Sequence, residues 1–158
     1  IEITQTIGDA LFLCGRGTNA VEYYRAVLAA SPEDANLMNS LALLLAEWQS
    51  NFEEANSLID KAIQLQPTNE EFVDSKLIIA LLSENLKLGV ELDSQLRSNF
   101  TAGVLLHRAV LADKLDQPQE ALRLFQMARD ARVGSQLQLA SDREMHAAMK
   151  EKYSKLSK

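Results

Sequence analysis

Residues 31–71 read SPEDANLMNSLALLLAEWQSNFEEANSLIDKAIQLQPTNEE. Near each end of this stretch stands a proline with acidic residues behind it, and between the prolines lie two apolar runs separated by a short polar break. The apolar residues recur at helical spacing, with Leu37, Leu41 and Leu44 in the first run and Ala55, Ile59 and Ala62 in the second. The stretch therefore predicts two helices joined by a tight turn.

Candidate capping residues stand at the ends of these two helices. Ser31 suits the N-cap, Pro32 the first helical position, and Asp34 the far side of a capping box. The second helix is expected to begin after Asn51, with Glu54 three residues on, and to end at Gln66, because the residue before a proline avoids helical backbone angles. The same spacing predicts three more capping boxes, namely Thr68 with Glu71, Asp116 with Gln119, and Ser141 with Glu144.

The helix pair recurs along the chain. Pro32 and Pro67 are 35 residues apart, and so are Ala20 and Ala55, while Ala121 follows 66 residues after Ala55. Two antiparallel helices approach closely only where one presents a small residue. Six residues are expected at such close approaches, namely Gly8, Ala42 and Ala109 in first helices and Ala20, Ala55 and Ala121 in second helices. A pair of this kind must stack on its neighbour to bury its apolar face.

This pattern resembles the tetratricopeptide repeat, whose 34-residue signature places a small residue in each helix, an aromatic four residues after the second one, and a closing proline. The matches in register are Gly8, Ala20-x3-Tyr24 and Pro32, then Leu41-Ala42, Ala55-x3-Ile59 and Pro67, and last Leu105, Ala109 and Ala121-x3-Phe125. Arg108 stands where an apolar residue is expected, and Val133 replaces the closing proline. A degenerate unit has Gly89 as its small residue but Asp93 four residues later.

The resemblance implies an all-α fold, an α-α superhelix built as a right-handed solenoid of antiparallel helix pairs. The repeats are expected over 1–134, divided at about 1–34, 35–69, a degenerate 70–101, and 102–134. Residues 135–158 are predicted to form a C-terminal capping helix that covers the last repeat with Met145, Met149, Tyr153 and Leu156.

Composition argues against a disulfide-stabilised protein, a membrane-spanning protein and a general nucleic-acid-binding protein. The 158 residues contain one cysteine, Cys14, which excludes an internal disulfide, and no apolar run reaches the roughly 20 residues of a membrane span. Residues 1–96 carry a net charge of −10 and residues 97–158 carry +4, so general nucleic-acid binding is not expected. Because the chain starts at Ile1, a fragment or processed product is expected; the compartment stays open, with the cytoplasm favoured.

Few side chains are suited to catalysis or metal binding, and they are scattered along the sequence. His107 and His146, the two histidines, have no other ligand type at metal-binding spacing and are expected to be surface or half-buried residues. The CGRG segment at 14–17 lacks the phosphate-loop pattern and is interpreted as the turn between two helices, with Thr18 or Asn19 as the cap. The sequence therefore predicts no metal, no cofactor and no enzymatic activity.

The expected function is protein–protein interaction. By register with the family, a concave groove would hold a partner segment, and nine residues would line it: Gln5, Asp9, Phe12, Asn36, Asn39, Leu43, Leu106, His107 and Val110. The cations that let one subset of the family bind a C-terminal carboxylate are absent. The alternative is a spacer or regulatory domain in a larger enzyme or assembly machine. The uneven charge also suggests weak head-to-tail self-association.

Overall fold

The computed structural model describes residues 2–96, 98–131, 133 and 139–153, apart from the side chains of residues 2–5, 9 and 13. Within these ranges the chain is almost wholly helical and contains no strand. Nine helices occur there: α1 (Glu2–Leu13), α2 (Gly17–Ala30), α3 (Ala35–Gln49), α4 (Phe52–Leu65), α5 (Glu70–Leu82), α6 (Leu86–Gln95), α7 (Ala102–Lys114), α8 (Pro118–Asp130) and α9 (Ala140–Tyr153). The predicted all-α fold of antiparallel helix pairs is confirmed.

The helices form two compact units. The N-terminal unit, Ile1–Ser83, contains α1 to α5, in which each helix packs on the next and α5 also contacts α3. The C-terminal unit, Glu84–Lys158, contains α6 to α9, with α7 in contact with the other three helices.

The small residues of the repeat lie at close approaches between helices. Ala20, Ala42 and Ala55 are fully buried in the core of the N-terminal unit, and Ala109 and Ala121 are fully buried in the C-terminal unit. In α1, a Cβ atom on Gly8 would lie 2.9 Å from the ring of Tyr24 in α2, so only glycine admits that ring. The prediction drawn from these positions is therefore confirmed.

The turns inside the helix pairs repeat with the same period. Each contains one residue with a left-handed backbone, namely Gly15, Ser50, Glu84 and Asp116, with φ between 51° and 72°. The turns thus recur every 32 to 35 residues, including the one between α5 and α6, where the sequence pattern is weakest. The repeat is preserved in the backbone where the side chains have departed from it.

Most of the predicted N-caps are wrong by a few residues. Helix α3 begins at Ala35, three residues after Pro32, because Asp34 rather than Ser31 accepts hydrogen bonds from the backbone N–H groups of Asn36 and Leu37. Asn69, not Thr68, caps α5 by accepting from the backbone N–H of Glu71. Three other expected caps also fail, since α2 begins at Gly17, α8 begins at Pro118 after Gln117, and Ser141 lies inside α9.

The predicted cap of α4 is confirmed. Asn51 Oδ1 accepts from the backbone N–H of Glu54, and Asn51 Nδ2 donates to the Glu54 carboxylate at 2.8 Å. Helix α4 ends at Leu65, just before Gln66 and Pro67, as the proline requires. Asparagine and aspartate thus provide the side-chain caps that are formed at α3, α4, α5 and α6.

Helix α7 is the centre of the C-terminal unit. Every residue from 104 to 112 is buried, so this helix has no solvent-facing side along two and a half turns. A helix buried on all sides belongs to the interior of a domain rather than to an open surface. This position decides which predicted site residues remain accessible.

Candidate functional site

The candidate residues of the N-terminal unit lie on α1 and α3. Phe12 and Leu43 are half-buried and pack against the same hydrophobic core, Asn36 is exposed, and Asn39 is buried with 7% of its surface accessible. The side chains of Gln5 and Asp9 lie outside the described residues. Asn36, Asn39 and Leu43 follow at intervals of three and four residues and therefore share one face of α3.

Asn39 is an unusual residue for a helix interior. Its Oδ1 atom is buried and accepts no hydrogen bond from the residues that the structure describes. A buried acceptor without a partner costs about 1–3 kcal/mol. Asn39 therefore does not increase the stability of the fold through its carbonyl group.

The candidate residues of the C-terminal unit do not line an open groove. Leu106, His107 and Val110 are all buried on α7, with Leu106 fully buried and His107 only 2% exposed. The expectation that His107 is a surface or half-buried residue is therefore wrong. Its Nε2 atom lies 3.2 Å from Asp142 Oδ1 of α9, so the last helix covers this side of α7.

Helix α9 is anchored to α7 near its own C-terminus. Tyr153 is buried and donates its hydroxyl hydrogen to Asp113 Oδ1, and Lys152 Nζ lies 2.7 Å from the same carboxylate. Burial, and then the hydrogen bond to Asp113, raises the pKa of Tyr153 to about 12. Met149 is buried beside this anchor, whereas Leu156 lies outside the described residues.

The other histidine contacts α8. The His146 ring lies 5.7 Å from the ring of Phe125, measured between centroids. Burial lowers the pKa of His146 below its ordinary value, and the positive charges of Lys150 and Arg129 lower it further. Protonation of His146 is therefore disfavoured in the folded chain.

Two of the side chains that depart from the repeat pattern pair with each other. Arg108 Nε donates to Asp93 Oδ1 at 2.7 Å, and the arginine side chain is 8% exposed. Asp93 on α6 stands at the usual aromatic position, and Arg108 on α7 stands at the usual apolar position. Each substitution thus supplies the charge that the other needs, since a buried charge is tolerated only when it is paired.

A cavity of about 170 Å³ lies beside this ion pair, between α6, α7 and α8. Nine residues line it: Val90, Asp93, Arg108, Leu111, Ala112, Leu115, Gln117, Glu120 and Leu124. The carboxylate of Glu120 is held by Arg123 at 2.6 Å and 2.7 Å, and this contact lowers the pKa of Glu120. The cavity was not predicted from the sequence, although Asp93 in place of an aromatic residue indicates that a large side chain is missing here.

Chemical groups for metal binding do not converge in the part of the chain that the structure describes. No set of three or more histidine, cysteine, aspartate or glutamate side chains is close enough there to hold a metal ion. Cys14 is exposed in the turn between α1 and α2, where the CGRG segment was predicted to lie. Among the described residues, none of the helices has both the length and the apolar character needed to cross a bilayer.

Comparison with known proteins identifies the fold. A structure of MamA from Desulfovibrio magneticus RS-1, comprising residue 41 to the end, matches with a TM-score of 0.67 and 16% sequence identity, over 98% of this chain and 92% of that one. The ArsTM double mutant of MamA from RS-1 matches with a TM-score of 0.65 and 14% identity, over 99% and 96% of the two chains. At such identities the likeness establishes the fold alone.

Comparisons of sequence give no family assignment. No family model matches the chain. No curated protein matches it by sequence.

Proposed function

We propose that this chain is a protein-interaction module related to the tetratricopeptide repeat, and that it binds a segment of another protein on α1 and α3. The interaction face consists of Phe12, Asn36, Asn39 and Leu43. Phe12 and Leu43 leave part of their apolar surface accessible, and Asn36 presents an exposed carboxamide on the same face of α3 as Leu43. This combination suits an extended or helical segment with alternating apolar and polar contacts.

The unsatisfied carbonyl of Asn39 is the observation that carries the proposal. A buried polar group without a partner is rare in a folded protein and calls for an explanation. In the bound state, the Asn39 carboxamide would accept a backbone N–H of the segment and donate to a backbone C=O. Binding would then recover the hydrogen bond that folding leaves unmade.

Charge suggests the composition of the partner segment. The N-terminal unit, residues 1–83, contains 12 Asp and Glu against 4 Lys and Arg, a net charge of −8. A field of one sign attracts a segment of the opposite sign and speeds its association. The partner segment is therefore expected to carry lysine or arginine next to its apolar residues.

A peptide selection tests this function. A random 12-residue library would be selected on the immobilised chain, and the enriched peptide would be measured by fluorescence polarisation against wild type and variants. Leu43→Asp and Asn39→Leu are expected to weaken binding at least 10-fold, while Gln64→Ala, an exposed change on α4, leaves it unaltered. Enriched peptides that bind all four proteins equally would refute this interaction face.

Stability separates a binding role of Asn39 from a structural one. Asn39→Leu is expected to raise the melting temperature, because it removes an unsatisfied buried polar group and adds apolar contacts. A structural asparagine would show the opposite result, with binding and stability lost together.

A further inference from the structure

The cavity between α6, α7 and α8 has an origin in the repeat itself. In the other three units, the residue four positions after the small residue of the second helix is large and buried, namely Tyr24, Ile59 and Phe125. In α6 the small residue is Gly89, also buried, and the residue four positions later is Asp93. An aspartate is several atoms smaller than an aromatic side chain, and its carboxylate turns to Arg108. The cavity thus lies beside the position at which the other units carry a large apolar side chain.

The walls of the cavity combine apolar and polar surface, as a ring with a polar substituent requires. Leu111, Leu115 and Leu124 supply aliphatic surface, and the exposed side chain of Val90 stands at the mouth. Arg108 also lines the cavity, and guanidinium groups are favourable neighbours of aromatic rings. The cavity opens to solvent, and its volume of about 170 Å³ has room for one six-membered ring.

The polar groups of the cavity are already balanced in charge. Asp93 faces Arg108 at 2.7 Å, and Glu120 faces Arg123 at 2.6 Å. A metal cation or a free anion therefore finds no uncompensated charge there. What remains is hydrogen-bonding capacity at the mouth, where Gln117 is exposed and the Glu120 carboxylate can accept a further hydrogen bond.

We propose that this cavity is a binding site for the side chain of a tyrosine supplied by another protein. The ring lies between the leucines and Arg108, and the phenol hydroxyl meets the polar groups at the mouth. The site lies in the C-terminal unit and shares no residue with the interaction face of the N-terminal unit. The tyrosine site and the proposed function can therefore be tested separately.

The test uses p-cresol, the side chain of tyrosine as a free molecule. Titration of the full chain, followed by the methyl NMR signals of leucine, is expected to shift Leu111, Leu115 and Leu124 with a dissociation constant in the millimolar range. Toluene, which lacks the hydroxyl group, is expected to bind at least threefold more weakly. Absence of these shifts would overturn the site, and equal binding of toluene would overturn the assignment to tyrosine.

Filling the cavity provides the matched control. Ala112→Leu adds three carbon atoms inside the cavity and is expected to abolish p-cresol binding. Ala147→Leu adds the same three carbon atoms at an exposed position of α9, and this variant is expected to bind p-cresol like the wild type. Retained binding in the Ala112→Leu variant would overturn the proposal.

A second variant keeps the test decisive if Ala112→Leu fails to fold. The double variant Asp93→Phe with Arg108→Leu restores the repeat pattern and fills the same space from α6, without leaving a buried charge unpaired. It is expected to lose p-cresol binding while its melting temperature is kept or raised. A folded double variant that binds p-cresol like the wild type would overturn the proposal.

Discussion

Gly17 lies directly against the indole ring of Trp48, so that a Cβ atom on Gly17 would be 2.3 Å from Trp48 Nε1. This contact joins the first residue of α2 to the last turn of α3. The second glycine of the CGRG segment is therefore a packing requirement, while Gly15 provides the left-handed backbone of the turn with φ of 72°.

Gly17→Ala is expected to destabilise the chain by about 1–3 kcal/mol, the usual cost of overpacking a well-filled site. Gly103→Ala serves as the control, because its Cβ would meet nothing closer than His107 at 3.8 Å and alanine favours the helix. Thermal unfolding followed by circular dichroism should show a lower melting temperature for the first variant only. Equal changes in the two variants would contradict the close packing of Gly17 and Trp48.

Ser50→Gly is expected to stabilise the chain by roughly 1 kcal/mol. Ser50 has φ of 51°, in the left-handed region that costs a non-glycine residue about 1–2 kcal/mol and costs glycine nothing. Ser57→Gly, at an exposed position inside α4, should do the reverse and lose roughly 0.5 kcal/mol, the difference in helix propensity between serine and glycine. Urea unfolding of both variants measures the two free energies, and a loss of stability in Ser50→Gly would exclude strain at this turn.

Stability is expected to fall as the pH drops below about 6.5 because of His146. Burial lowers the pKa of His146 in the folded chain, so between that pKa and the ordinary value the unfolded chain binds more protons. Protons then favour unfolding, and at pH 7.5 and above His146 makes no pH-dependent contribution. The measurement is the free energy of unfolding of wild type and His146→Gln from pH 7.5 to pH 5. The variant should lose less stability over this range, and an identical slope would remove His146 as the cause.

Self-association stays a prediction from the uneven charge, with −10 on residues 1–96 and +4 on residues 97–158. Surface ion pairs are individually weak and are screened by salt, so any head-to-tail oligomer should dissociate at about 0.5 M salt. Light scattering over a concentration series at low and high salt measures this. A monomer in every condition, or an oligomer whose size does not change with salt, would show that charge does not drive association.

The repeat was predictable because its signals are short patterns that recur along the chain. Ala55 was identified by its recurrence 35 residues after Ala20, and the cap at Asn51 depends on Glu54 three positions later; both were placed correctly. The start of α3 was less certain from sequence, since Ser31 and Asp34 are both good caps and only the backbone path decides between them.

Two features of the C-terminal unit depended on long-range contacts. The tail helix was expected to cover the last repeat, but no spacing in the sequence links His107 to Asp142, 35 residues away, so this buried contact was not foreseen. Arg108 and Asp93 were each interpreted as isolated departures from the repeat, 15 residues apart. Their pairing became visible only when α6 and α7 were placed side by side.

The footprint of a bound peptide on the full chain would locate the interaction face. The peptide enriched in the selection described above would be titrated into isotope-labelled protein and followed by backbone amide and methyl NMR signals. Binding on α1 and α3 predicts the largest shifts at Phe12, Asn36 and Leu43, with Gln64 of α4 unchanged. Shifts confined to other helices, or no saturable shift with any enriched peptide, would contradict the claim that this face binds a partner.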